Sequence, residues 1–146
     1  MRCRRRLPST TTLVCLMLIA LTVTAGCESH VTGLQKSEER ADEAAAVATL
    51  RTVAVAQQSY AASNDGNYGS FLQLTEGGFL DSRFSSEAPQ SRGYVLSMKV
   101  GEKTFSCNAD PSGELKGRHF YVDASSPLIR VNASQPATAK DEVVNF

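Results

Sequence analysis

The side chains of this sequence that could perform chemistry are few, and the clearest pair is a cysteine and a histidine in its second half. Cys107 and His119 lie in two segments that read as neighbouring strands, so they could meet as a thiol nucleophile and its base. Cys107 also alternates with the apolar residues Phe105 and Ala109. This alternation favours a buried, unreactive thiol, and His119 is expected at the surface or at a sheet edge.

The amino terminus differs in kind from the rest of the chain. Residues 1–8, MRCRRRLP, contain four arginines and no acid, and residues 13–25, LVCLMLIALTVTA, contain no charge. A basic start, a short apolar run and small residues after it are typical of a secretory signal peptide. As a helix rising about 1.5 Å per residue, the apolar run would span roughly 20 Å, less than the ~30 Å hydrocarbon core of a bilayer. A permanent transmembrane helix is therefore the weaker interpretation.

The end of this signal, Thr24-Ala25-Gly26 followed directly by Cys27, resembles the lipobox of bacterial lipoproteins. The resemblance implies cleavage between Gly26 and Cys27, a diacylglycerol on the Cys27 thiol, and an acyl chain such as palmitate on the new amino terminus. Because each buried methylene contributes about 0.8 kcal/mol, two or three acyl chains would hold the protein durably on a membrane. Glu28 stands where the enterobacterial retention rule requires aspartate, which implies the outer membrane in a cell that has one. The alternative is an ordinary secreted protein with an incidental cysteine.

Removal of this signal would change the cysteines and the charge of the protein. Cys3 and Cys15 would leave and Cys27 would become a thioether, so Cys107 would be the only thiol and no intramolecular disulfide could form. The chain has 15 basic and 15 acidic residues, and loss of the signal's four arginines leaves the mature part acidic. Since there is no basic run after Arg6, nucleic-acid binding is not expected. One thiol and two histidines do not supply zinc ligands at close spacing without carboxylates from scattered positions, so a zinc site is not expected.

The first half of the mature chain has the pattern of one long helix. Residues 28–36 are polar and are expected to form a tether, after which Ser37 can cap a helix with acidic residues in its first turns. From Glu38 to Ser63 the chain contains no glycine or proline, and apolar residues recur at steps of three and four. This helix is predicted to end at Asn64-Asp65-Gly66, and a shorter helical turn is predicted over Ser70–Thr75.

After residue 92 the apolar period changes from about 3.6 to 2, which is typical of β-strands. The first two strands are predicted to form a hairpin, with Gly101-Glu102 as its connection and Lys103 at the start of the second strand. Two further strands are predicted over residues 118–123, RHFYVD, and 128–132, LIRVN. One long helix followed by three or four antiparallel strands makes an α+β domain, in which the helix covers the apolar face of the sheet.

These predictions divide the chain into four segments. They are a signal peptide over 1–26, a lipidated tether over 27–36, a folded domain over 37–132 and a flexible tail over 133–146. The tail has no periodicity, although Val143, Val144 and Phe146 could dock on the domain. Asn132, the last residue of the predicted domain, begins the tripeptide NAS. This is a glycosylation pattern, which we interpret as chance in a bacterial lipoprotein.

Three stretches, in this order, resemble the globular part of type IV pilins and type II secretion pseudopilins. They are EAAAVATLRTVAVAQQSYAASNDGNYGSF (43–71), GYVLSMKV (93–100) and NADPSGELKGRHFYVDASSPLIRVN (108–132). The resemblance covers residues 41–132 and implies a pilin-like fold, with a role near a secretion or pilus-like system.

The amino terminus departs from that family. Pilins and pseudopilins have a prepilin cleavage site and a roughly twenty-residue apolar helix with glutamate at its fifth position, whereas here the polar segment CESHVTGLQ follows Gly26. Gly69 also follows Tyr68 where pseudopilins often have proline. Acyl chains would therefore stand where the family keeps its polymerising helix, and a role as a major filament subunit is not expected.

The resemblance also implies a candidate metal site, because one class of pseudopilins binds calcium in a loop between strands. The corresponding loop, DPSGELKG (110–117), offers Asp110 and Glu114, with Asn108 and backbone carbonyls nearby. Calcium takes six to eight oxygen ligands, so Asp110 and Glu114 are weak candidates and an ordinary turn of proline, serine and glycine is the expectation. No cofactor is expected.

The sequence thus predicts a non-catalytic lipoprotein of the bacterial cell envelope, exported and anchored through Cys27, whose pilin-like domain acts by protein contact. Its expected partners are the membrane and an unidentified protein, and neither nucleic acid nor a small-molecule substrate is expected. Residues 118–121 could recognise that partner or form a solvated edge. One alternative is a periplasmic module that binds a ligand or calcium through residues 108–117. Another is an enzyme that uses Cys107 with His119.

Overall fold

The computed structural model describes residues 28–113 and 115–145, with side chains from residue 33 onward within these ranges. The chain divides into two compact units, residues 1–37 and residues 38–146. The described part of the first unit is helical. All the described strands belong to the second unit.

Three described helical segments precede the sheet. Helix α1 is Glu28–Ser63, helix α2 is Phe71–Glu76, and a 3-10 turn is Ser82–Phe84. Helix α2 follows the prediction closely, because Ser70 caps it: the Ser70 hydroxyl accepts from the Gln73 N–H, and the Gln73 side chain accepts from the Ser70 N–H. Among the described residues, no helix has both the length and the apolar character that a membrane span requires.

The start of α1 differs from the prediction. Ser37 is not the N-cap, because the chain is already helical from Glu28. The Ser37 hydroxyl donates to the carbonyl of Leu34 at 2.8 Å, so the serine is accommodated within the helix by a bond to the preceding turn. The expected tether contains no proline and one glycine, so no residue in it forces the helix to stop.

The amphipathic pattern of α1 is confirmed in the second unit. One stripe of the helix is buried at steps of three and four, and it includes a single polar residue, Gln57. Val55 lies outside this stripe and is 62 % exposed. The buried residues of the stripe are Ala46, Val47, Leu50, Val53, Ala54, Ala56 and Gln57.

The sheet has six antiparallel strands, and each strand pairs with the next one in the chain. The strands are β1 (Gln90–Ser91), β2 (Tyr94–Gly101), β3 (Thr104–Pro111), β4 (His119–Asp123), β5 (Ser126–Asn132) and β6 (Glu142–Val143). The α+β class is confirmed, but the sheet has more strands than the three or four predicted. The additional strands, β1 and β6, contain two residues each, too few to produce a period-2 pattern in the sequence.

The hairpin between β2 and β3 is confirmed, with its connection one residue later than predicted. Gly101 pairs with Thr104, so Glu102 and Lys103 form the turn. Lys103 adopts a left-handed backbone conformation with φ of 54°, and its ammonium group donates to the carbonyl of Asp65 in the loop after α1.

The two faces of the sheet are composed as the alternation predicts. On the inner face the side chains are buried and form one core with those of α1 and α2. We define the inner face by Tyr94, Leu96, Phe105, Cys107, Ala109, Phe120, Val122 and Ile129. We define the outer face by the alternate residues Ser97, Lys99, Ser106, Asn108, Asp110, His119, Tyr121, Asp123 and Arg130.

The segment after β5, predicted to be a flexible tail, is attached to the sheet. Residues 133–141, which we call the strap, lead into β6, whose Val143 pairs with Arg130. Val144 packs against the core, and its N–H donates to the carbonyl of Ile129 at 2.9 Å. Val143 and Val144, which the sequence left able to dock, are therefore docked in a segment predicted to be flexible, and Phe146 lies outside the described residues. The strap lacks periodicity because polar side chains of the sheet, rather than an apolar stripe, hold it.

Candidate functional site

The residues predicted to carry the lipid lie outside the described part of the chain. Gly26 and Cys27, the predicted cleavage and lipidation positions, precede Glu28, where the description begins. Glu114, one of the two weak metal candidates, falls in the gap between residues 113 and 115. The predictions for these three residues remain predictions.

The structure does not bring Cys107 and His119 together, so the alternative in which they meet as a nucleophile and its base is wrong. In the register of β3 and β4, the residue opposite Cys107 is Val122. His119 lies an odd number of residues from Val122 in the same strand, so its side chain projects from the outer face while Cys107 is fully buried on the inner face. Burial raises the pKa of the Cys107 thiol, and the charge of Asp110 adds to this effect. The alternation favoured a buried, unreactive thiol, and the burial of this thiol is confirmed.

His119 instead contacts Asp110, the other metal candidate. The His119 Nδ1 lies 2.6 Å from the Asp110 Oδ1, and the two side chains are 18 % and 29 % exposed. Asp110 belongs to strand β3 rather than to the following loop, because β3 extends to Pro111. Among the described residues, no group of three or more histidine, cysteine or acidic side chains is arranged to hold a metal ion.

The loop between β3 and β4 is fixed to α1 by an ion pair that the sequence did not reveal. The Arg118 guanidinium donates to Oε2 of Glu43 at 2.7 Å, and the Arg118 N–H donates to Oε1 at 3.0 Å. The Tyr94 hydroxyl donates to the Arg118 carbonyl. Burial alone would raise the pKa of Glu43, but the hydrogen bonds and the charge of Arg118 lower it below its ordinary value. Residues 118–121 were considered as a strand that could recognise a partner. Arg118 of this segment instead makes an internal contact.

The loop between α1 and α2 is fixed by Gln57, the one polar residue in the buried stripe of α1. The Gln57 amide donates to the carbonyl of Gly69 at 2.6 Å and accepts from the Gly69 N–H at 3.0 Å, as a neighbouring strand would. The same Nε2 lies 3.0 Å from the sulfur of Met98. A proline at position 69 has no N–H to donate, and a Cβ there would lie 3.1 Å from the ring of Tyr60. These contacts favour glycine at position 69.

Two carboxylates, one on the outer face and one in the strap, each accept several hydrogen bonds. Asp123 accepts from the Tyr121 hydroxyl, from the N–H and hydroxyl of Ser125, and from the N–H of Ser126. Burial would raise the pKa of Asp123, and the bonds from Ser125 and Tyr121 lower it. Such bonds fix the turn between β4 and β5.

The second of these carboxylates, Asp141, fixes the strap. It accepts from the N–H and hydroxyl of Thr138 and from the Asn132 amide, and these bonds lower its pKa. The Asn132 amide of the NAS tripeptide is thus bonded within the strap at 2.8 Å, and the interpretation of NAS as chance stays a prediction.

Exposed apolar side chains lie at one cavity of the second unit. Leu72 on α2 and Val100 on β2 are 51 % and 42 % exposed. Together with Phe71 and Met98 they line a cavity of about 440 Å³, whose other lining residues are polar. We call this the Leu72 cavity. The cavity has apolar lining residues surrounded by polar ones, and this suits an apolar side chain of a partner.

Comparison with known proteins adds no relative to this description. No family model matches the sequence, and neither a curated protein nor a solved structure matches it. The resemblance to pilins therefore rests on the three stretches of sequence alone.

Proposed function

We propose that this protein is a lipid-anchored protein of the bacterial cell envelope and that its α+β domain, pilin-like in the order of its elements, acts by contact with another protein. Cys27 carries the anchor in this proposal, and the Leu72 cavity is the contact surface. The role is accessory or structural, near a secretion or pilus-like system or at the cell surface, and the outer membrane is the expected location in a cell that has one.

One observation carries the contact role: Cys107 and His119 each have partners within the fold, while apolar side chains are exposed. Cys107 is buried in the core and His119 is bonded to Asp110. Leu72 and Val100, in contrast, expose about half of their surface at one cavity. Exposed apolar residues that occur singly need no explanation, but two of them beside a common cavity favour a binding surface.

Metabolic labelling with a radioactive fatty acid tests the anchor. The wild type and the control variant Cys107→Ser should be labelled equally, and Cys27→Ala should not be labelled. Cys107 is the suitable control because its thiol is buried on the inner face. Equal labelling of Cys27→Ala and the wild type would contradict the anchor.

Site-specific crosslinking in the native cell tests the contact surface. A photoreactive amino acid at position 72 should give one discrete crosslinked product, and the additional change Val100→Asp should remove it. Leu128 is 52 % exposed on β5 but does not line the Leu72 cavity, so the same amino acid at position 128 is the control. Identical products from positions 72 and 128 would show that the cavity is not the contact surface.

Two other functions predict different results with purified protein. A calcium-dependent rise in melting temperature that disappears in Asp110→Asn would favour a calcium-binding module, because ligand binding stabilises the folded state. Loss of a measured activity in Cys107→Ser, with unchanged folding, would favour an enzyme.

A further inference from the structure

The outer face of the sheet contains a second groove, which shares Val100 and no other lining residue with the Leu72 cavity. Two cavities of about 540 and 370 Å³ share Lys99, Ser106 and Tyr121 among their lining residues, so the cavities adjoin. We call them together the outer groove. It extends from the turn after β4 to the strap, and each cavity lies within the range of about 300 to 1,000 Å³ typical of ligand sites.

The outer groove is held in shape by the strands beneath it and by the strap beside it. Strands β2, β3 and β4 form its floor, and there Ser106 pairs with both Lys99 and Asp123. The strap forms one wall, because the Asn108 amide donates to the carbonyl of Ala137 at 2.8 Å and Ala137 is only 2 % exposed. A ligand would therefore enter a preformed site and would lose little free energy in ordering it.

The charges along the outer groove favour an anion. Lys99 and Lys140 line it, and neither forms an ion pair with another residue that the structure describes. The carboxylate of the groove, Asp123, already accepts four hydrogen bonds. Asp123 keeps its negative charge, but with Lys99 and Lys140 the charged side chains that line the groove carry a net positive charge, which favours an anion.

The centre of the groove combines an aromatic ring with small polar groups. Tyr121 lies on the floor, and its hydroxyl donates to Asp123 at 3.0 Å, which fixes the ring. Ser106 and Asn108 supply a hydroxyl and an amide beside it. An aromatic ring offers an apolar surface for the C–H groups of a sugar ring, and the surrounding polar groups can bond to its hydroxyls.

We propose that the outer groove binds an acidic oligosaccharide, with a sugar ring on Tyr121 and its carboxylates beside Lys99 and Lys140. An acidic peptide is less suited, because β3 and β4 pair on both sides and leave no free strand edge for its backbone. The inference goes beyond the contact role, since it assigns a saccharide ligand to a second surface.

The test uses the full, lipidated protein in detergent micelles, with calorimetric titration of tetragalacturonate as the probe. Tetragalacturonate should bind, and neutral cellotetraose, inorganic phosphate and a tetraglutamate peptide should bind at least about tenfold more weakly. The double variant Lys99→Gln/Lys140→Gln should weaken tetragalacturonate binding by about tenfold or more. Lys116→Gln, a matched change at an exposed lysine outside the groove, should change it less than about twofold.

A second pair of variants separates ring stacking from folding. Tyr121→Phe keeps the ring and should retain binding within about threefold, whereas Tyr121→Ala should lose it. The far-ultraviolet circular dichroism of each variant confirms that it is folded.

Three results would overturn the proposal. They are no binding of tetragalacturonate to the wild type, equal binding by the double lysine variant, and binding of the tetraglutamate peptide or inorganic phosphate as tightly as the saccharide. Lys99, Lys140 and Tyr121 do not line the Leu72 cavity. Failure here would thus leave the results of the labelling and crosslinking experiments unchanged.

Discussion

The inner and outer faces of the sheet are formed by alternate residues of the same strands, but different forces stabilise them. On β4, Phe120 and Val122 are fully buried on the inner face. The residues between and beside them, His119, Tyr121 and Asp123, stay partly exposed and are each hydrogen-bonded. The inner face therefore contributes stability through burial of apolar surface, and the outer face positions loops and the strap through polar contacts.

The largest expected difference is between two adjacent residues of β4. Phe120→Ala should lower the free energy of unfolding by about 3–5 kcal/mol, because it leaves a cavity in the core. Tyr121→Ala removes a ring from the outer face and its bond to Asp123, and should cost about 1–2 kcal/mol. Urea unfolding of both variants measures the difference. Equal losses would show that the two faces contribute alike.

Gln57 is a polar residue among the apolar side chains of the core. It tests whether a buried polar contact contributes as much stability as apolar packing or only as much as the polar contacts of the outer face. Gln57→Leu leaves both the N–H and the carbonyl of Gly69 without their buried partner, so we expect a loss of about 2–4 kcal/mol. Gln58→Leu, at the next and exposed residue of α1, should change stability by less than about 0.5 kcal/mol. Similar unfolding curves for the two variants would contradict the role given to Gln57.

Glu43 extends the comparison to pH. Its pKa is lowered in the folded protein, so its stabilising contribution is present above the ordinary value of 4.5 and is lost as the pH falls through the folded pKa. Glu43→Gln should therefore cost about 1–2 kcal/mol at pH 7, and the difference from the wild type should shrink below pH 4.5.

Asp42 provides the matched control for the pH experiment. It forms an ion pair with Arg92, whose side chain is 61 % exposed, so Asp42→Asn should cost only about 0–1 kcal/mol. Chemical unfolding between pH 3 and pH 7 gives both values. A loss for Glu43→Gln that does not change with pH would exclude the charge as its cause.

The smallest expected effect concerns the strap. Asp141→Asn weakens the bonds from Thr138 and Asn132, so the amides of Thr138 and Val144 should exchange with solvent several-fold faster. The amide of Phe120 should keep its protection, because it belongs to an interior strand. Glu142→Gln, at an exposed residue of β6, is the control. Faster exchange throughout the sheet would show that the strap supports the core.

The sequence predicted the elements better than the contacts between them. Three features could be predicted because each depends on residues close together in the chain. They are the period of α1, the alternation in β2 and β3, and the burial of Cys107. The two-residue strands β1 and β6 could not be predicted, since a strand of that length has no pattern of its own. The helical start at Glu28 was missed because Ser37 has the chemistry of a cap, and that chemistry does not require the chain to begin a helix there.

By itself, the sequence determined which residues face the core and that the chain forms an α+β domain, because apolar burial follows the local period of each element. Only the tertiary structure decided which polar groups meet. His119 bonds to Asp110 rather than approaching Cys107, Gln57 holds Gly69, and the strap lies beside Asn108. These pairs join residues from different elements, and their meeting depends on strand register and on packing, to which the whole core contributes.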